Sequence, residues 1–67
     1  MKKETIERAV EIINYAIKNE ISVKEASVKC GFSDTYVKNI KALVYENYEN
    51  GILDDELFSL FDTAYKE

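Results

Sequence analysis

Residues 23–42, VKEASVKCGFSDTYVKNIKA, decide the fold of this chain. Their reading begins one residue upstream, at Ser22-Val23-Lys24-Glu25, which has the spacing of a capping box: the Ser22 hydroxyl can accept from a free amide of a first helical turn while Glu25 reaches back to the amide of Ser22. A short helix over about 23–30 follows. Gly31 stops it, being the residue best able to take the left-handed conformation that ends a helix. Ser33 then stands where an N-cap belongs, and Asp34 at the positive end of a second helix over about 34–49. Tyr36, Val37, Ile40, Leu43, Val44 and Tyr48 give that helix its apolar arc, and Asn50-Gly51 closes it. A short helix, a glycine turn and a longer helix with almost no slack between them is the spacing of a helix-turn-helix unit. Ala26 and Ser27 supply the small side chains that a tight crossing needs. Cys30 and Phe32 flank the glycine and are expected to point into the core, as are Val37 and Ile40 from the second helix.

Upstream of this unit, Ile6, Val10, Ile13 and Ile17 recur at helical spacing opposite Glu4, Glu7, Glu11, Asn14 and Lys18, which predicts a helix over about 3–19. Ala9, Ile12, Tyr15 and Ala16 widen its apolar surface beyond one stripe, as a helix packed against two neighbours requires. Downstream, Asp54, Asp55 and Glu56 suit a helix N-terminus, and Leu57, Leu60, Phe61 and Ala64 form one face of a last helix over about 54–66. The expected architecture is all-α: a compact bundle of about four helices in a single domain over 1–67. There is no internal repeat, no low-complexity tract and no linker rich in Gly, Pro or Ser.

Composition agrees with a folded helical domain, at 46% hydrophobic and 33% charged residues with no proline. The single cysteine, Cys30, can form no internal disulfide, and no stretch reads as a leader, so the expected compartment is the reducing cytoplasm. Charges interrupt every apolar run, so no membrane partner is expected.

The net charge of −4 argues at face value against a polyanionic partner, but it hides a gradient. Residues 1–21 balance four basic groups against four acids, residues 22–45 carry four lysines against two acids, and residues 46–67 carry one lysine against seven acids. Only the middle block can face phosphates, and the acidic end must then point elsewhere.

Within that block, Ala26-Ser27-Val28-Lys29-Cys30-Gly31-Phe32-Ser33 resembles the Ala-Ala-x-x-Ala-Gly-Tyr-Ser stretch of the DNA-binding domain of phage terminase small subunits, with Tyr15 upstream at a similar interval. The resemblance covers roughly residues 9–42. It implies a DNA-binding protein of a phage or mobile element, whose second motif helix meets the duplex. The acidic end departs from that family, and the length fits a compact transcriptional regulator of a phage, plasmid or bacterial genome better than a packaging or replication protein.

Helical phase places Asp34, Thr35, Lys38, Lys41, Ala42 and Tyr45 on the outer face of the second motif helix, with Asn39 at its edge. Lys38 and Asn39 have the donor chemistry for base edges, while Thr35 and the neighbouring Ser33 can hydrogen-bond a base or a phosphate. Lys24, Lys29 and Lys41 are candidate phosphate anchors. Asp34 either accepts from a cytosine amino group or caps its helix. Tyr45, in phase with the lysines, either touches a sugar-phosphate strand or packs against another subunit.

Phe58 and Tyr65 extend the apolar arc of the last helix past what a monomer is expected to cover. A homodimer through Phe58, Phe61 and Tyr65, joined by Ile12 and Tyr15, is therefore expected, in keeping with paired half-sites on double-stranded DNA. The other arrangement folds both rings back onto the first helix. No histidine, cysteine cluster, glycine-rich phosphate loop or nucleophile beside a base is present, so neither catalysis nor a cofactor or metal is expected. The rival function is a protein-interaction module working through the acidic last helix.

Overall fold

A computed structural model describes residues 1–66. It contains four helices: α1 Lys3–Asn19, α2 Val23–Lys29, α3 Tyr36–Glu49 and α4 Asp55–Lys66. Helix α1 is the scaffold, packing against all three others, while α3 packs against both α2 and α4.

Local chemistry explains where each helix starts and stops. Ser22 Oγ accepts the Glu25 amide at 3.1 Å, which is one half of the expected capping box. Asp54 Oδ1 accepts the Leu57 amide at 2.8 Å, so Asp54 caps α4 and the helix begins at Asp55. Helices α1, α2 and α3 all end in the same paired return of amides to carbonyls. Ile21 and Glu20 donate to Ala16 and Ile17, Phe32 and Gly31 to Ser27 and Val28, and Ile52 and Gly51 to Asn47 and Tyr48. The motif needs a left-handed residue each time. Gly31 and Gly51 provide it at φ 90° and 72°, whereas α1 uses Glu20 at φ 54°.

The buried core is Ile6, Ala9, Ile12, Ile13 and Ala16 of α1, Ala26 of α2, Val37, Ile40 and Val44 of α3, Leu53 of the last linker and Phe61 of α4. Ala26 and Ser27 are fully buried, as a close approach of helices requires, and the Ser27 hydroxyl is satisfied by the Val23 carbonyl at 2.9 Å.

Several expectations are corrected. Helix α3 begins at Tyr36 instead of 34: Asp34 and Thr35 form a turn closed by the Tyr36 amide on the Ser33 carbonyl at 3.2 Å, and no side chain caps the helix. Ser33 and Asp34 are therefore not capping residues. Cys30 is exposed, because the turn that Gly31 creates brings Phe32, and not Cys30, back toward the core. Ile17 is 48% exposed and Leu43 47%, since the buried faces of α1 and α3 are centred on Ile6, Ile13, Val37 and Val44.

Candidate nucleic-acid interface

Helices α3 and α4 run antiparallel, and side-chain contacts at three levels form the seam between them. The Tyr48 and Phe58 rings stack with centroids 3.8 Å apart. The Tyr45 hydroxyl donates to Asp62 Oδ1 at 2.8 Å, and Lys41 Nζ lies 4.6 Å from the centre of the Tyr65 ring. As residue numbers rise along α3 they fall along α4. Lys66, one turn beyond Asp62, approaches the same carboxylate at 3.2 Å. The Tyr45 bond first, and Lys66 second, hold the Asp62 carboxyl below its ordinary pKa, and the same bond raises the Tyr45 phenol above 10.

This seam changes the expected outer face of α3. Lys41 and Tyr45 are half-buried beneath α4. Helix α4 covers the flank of α3 next to the apolar arc, which helical phase alone places on the outer face. What stays free on α3 is Lys38, Asn39, Ala42 and Leu43, with Glu46 and Glu49 farther along and Thr35 just before the first turn. Ser33 and Asp34 are exposed in the turn, Lys24 at the start of α2 and Lys29 at its end.

Lys24, Lys38 and Lys41 do converge. They line a cleft of about 400 Å³ between α2, α3 and the last turn of α4, together with Val23, Val37, Asp34 and Tyr65. Lys29 lies outside this cleft, as do Ser33, Thr35, Asn39 and Tyr45. Among the described residues no carboxylate forms an ion pair with Lys24, Lys38 or Lys41. Sequence reasoning assigned Tyr65 to a dimer surface and missed it here. The signal was the match of two stripes, Lys41, Tyr45 and Tyr48 on α3 with Tyr65, Asp62 and Phe58 on α4.

The expected dimer residues are also relocated. Phe61 and Ile12 are buried within the fold and Phe58 is covered by Tyr48 and Tyr45, whereas Tyr65 stacks on Phe61 at 5.6 Å and stays 37% exposed. Phe58 and Tyr65 lie against α3 side chains and not against α1. Open apolar surface lies instead in a groove between α1 and α4, floored by Val10, Leu57, Leu60 and Ala64 and edged by Lys3, Glu7 and Glu56. Tyr15 is exposed outside it.

Antiparallel pairing also sorts the charge. Glu46 and Glu49 end α3 where Asp54, Asp55 and Glu56 begin α4, while Lys38, Lys41 and Lys66 occupy the opposite end of the pair, beside Lys24. The α3–α4 pair of a chain of net charge −4 thus gathers five acids at one end, while its lysines stand at the other with Asp34 and Asp62. No group of His, Cys, Asp or Glu able to hold a metal ion occurs among the described residues, and no helix is long and apolar enough to cross a membrane. The chain matches no protein-family profile, no characterised protein and no solved structure.

Proposed function

We propose that this is a non-catalytic protein that binds double-stranded DNA through the basic end of the bundle, as a small transcriptional regulator. The observation that carries the reading is the charge separation along the α3–α4 pair. It leaves Lys24 and Lys38 beside the free polar side chains Thr35 and Asn39, and holds five acids at the far end, out of reach of a duplex met by the start of α3. On this reading Asn39 meets base edges, Thr35 a base or phosphate, and Lys24, Lys29 and Lys38 the backbone, Lys38 being drawn from base reading to phosphate by its place in the cleft with Lys24. Tyr45 has no such role, being engaged with Asp62.

Paired half-sites call for a second copy, and the α1–α4 groove is the seat we assign to it. Its floor is apolar, and its edge carries Lys3 on one helix and Glu56 on the other, charges that a two-fold partner pairs reciprocally. Sedimentation showing a monomer at high micromolar concentration removes the dimer and leaves the DNA surface standing.

Fluorescence anisotropy with a mixed-sequence duplex across a salt series tests the main reading, with Lys38→Glu alongside. The expected result is affinity that falls steeply with salt and is lost in the variant. Absence of binding at about 50 mM salt, where weak phosphate contacts are still visible, rejects it in favour of a protein-interaction module.

A further inference from the structure

Lys24, Lys38 and Lys41 line one cleft with a single carboxylate, Asp34, and among the described residues none of the three forms an ion pair, so the lining carries an excess of positive charge that an anion can meet. Lys41 is also not free to turn away. Its ammonium lies 4.6 Å from the centre of the Tyr65 ring and 5.8 Å from that of Tyr45, so two aromatic faces hold the charge at the cleft. Tyr65 is in turn fixed by stacking on the fully buried Phe61. The rotational freedom that a lysine ordinarily loses on meeting a phosphate is here already restricted by the fold.

We propose that this cleft is the seat of a phosphate ester, in which Lys24, Lys38 and Lys41 bind the phosphate and Tyr65 acts as the positioning residue for Lys41. The proposal rests on the DNA reading for its preferred source, a backbone phosphate of the duplex. A free nucleotide offers the same chemistry. A volume of about 400 Å³ accommodates a phosphate together with the sugar attached to it, and Val23 and Val37 give that sugar an apolar wall. Asp34 borders the same space and opposes the bound charge, which sets the affinity below what three lysines alone provide.

This assigns the last turn of α4 to the binding surface. It also gives Tyr65 a role that differs from packing: its ring, and not its hydroxyl, does the positioning. Tyr65→Phe therefore leaves binding unchanged, whereas Tyr65→Leu keeps the apolar cover over Phe61 but frees Lys41.

The test is duplex binding across a salt series for the full chain and for Lys41→Gln, Tyr65→Phe, Tyr65→Leu and Asp34→Asn. In parallel, backbone amide spectra are recorded with inorganic phosphate and with a nucleoside monophosphate. Loss of one phosphate contact lowers the slope of log affinity against log salt by about one unit. That drop is expected in Lys41→Gln, with a smaller one in Tyr65→Leu and none in Tyr65→Phe. Asp34→Asn is expected to bind roughly fivefold tighter at low salt, a gain that misfolding cannot imitate. Duplex binding that is the same in the four variants overturns the phosphate seat while leaving the DNA reading intact. Absence of duplex binding, with amide shifts at Lys24, Lys38 and Lys41 on adding phosphate or the nucleotide, supports the seat and rejects the DNA reading. Absence of both overturns the two together.

Discussion

The hydroxyl of Tyr45 and the carboxylate of Asp62 meet at 2.8 Å across the seam between α3 and α4. The pair stands between the stacked rings of Tyr48 and Phe58 on one side and the contact of Lys41 with Tyr65 on the other. Helix α4 is thereby fixed in register on α3, and the basic cleft keeps its third wall.

Tyr45→Phe removes this bond and leaves the ring contacts in place. The expected outcome is a lower midpoint of urea unfolding with an unchanged slope, and DNA affinity close to that of the parent chain. The folded pKa of Asp62 is depressed, so its contribution is present above the unfolded value near 3.8 and is lost as pH falls through the lower folded value. The folded pKa of Tyr45 is raised, so its contribution is present below 10 and is lost as pH rises through the folded value. Unfolding midpoints of the two proteins should therefore differ most at neutral pH and converge toward both extremes.

Glu20 and Gly31 end their helices in the same left-handed conformation with opposite fitness for it, φ 54° for a glutamate and φ 90° for a glycine. Glu20→Gly removes both the steric penalty and a negative charge from the negative end of α1. It should stabilise the fold by about 0.5–1 kcal/mol after the added chain entropy of glycine is deducted. Gly31→Ala should destabilise it by about 1 kcal/mol. Space is not the reason, because a methyl group at Gly31 meets nothing within 4 Å. Paired urea titrations check both signs.

Thr35 and Asn39 are exposed about one helical turn apart at the amino end of α3, and neither carries a formal charge. Thr35→Val and Asn39→Ala are expected to change which duplex sequences are preferred, by about 1–3 kcal/mol of discrimination where Asn39 loses a bidentate contact and by less for the single hydroxyl of Thr35. The salt slope should stay as it is. Selection from a randomised duplex library, followed by salt titration on the selected site, separates the two effects.

Cys30 is exposed in the turn after α2. A thiol reagent should label it in the folded protein at a rate near that in urea. Strong protection under native conditions would show that the turn closes over the thiol.

Helix existence was legible in the sequence because each helix has its own punctuation. Ser22, Gly31, Gly51 and Asp54 act within a turn of themselves, and each acts in the structure as local chemistry requires. Ser33 shows the limit, since its place before an apolar arc suggested a cap and the chain makes one further turn before α3 begins. Burial was less legible because it depends on the neighbour. Ile17 and Leu43 fit apolar stripes yet lie on faces that no other helix covers, whereas Tyr45 and Lys41 look solvent-facing until α4 is placed. For the same reason the lysines of the cleft were legible one by one, but not their grouping around Tyr65, which lies 24 residues from Lys41 along the chain.

Phe61 has no residual exposure and belongs to the core that Ile6, Ala9, Ile12 and Ile13 begin. Translation delivers those α1 side chains first and the helix that covers them last. Until α4 follows, α2 and α3 can cover only part of the α1 stripe, and the part that Phe61 covers stays open, a surface suited to chaperones and prone to aggregation. The order of elements along the gene thus makes the emergence of α4 the event that ends this exposure.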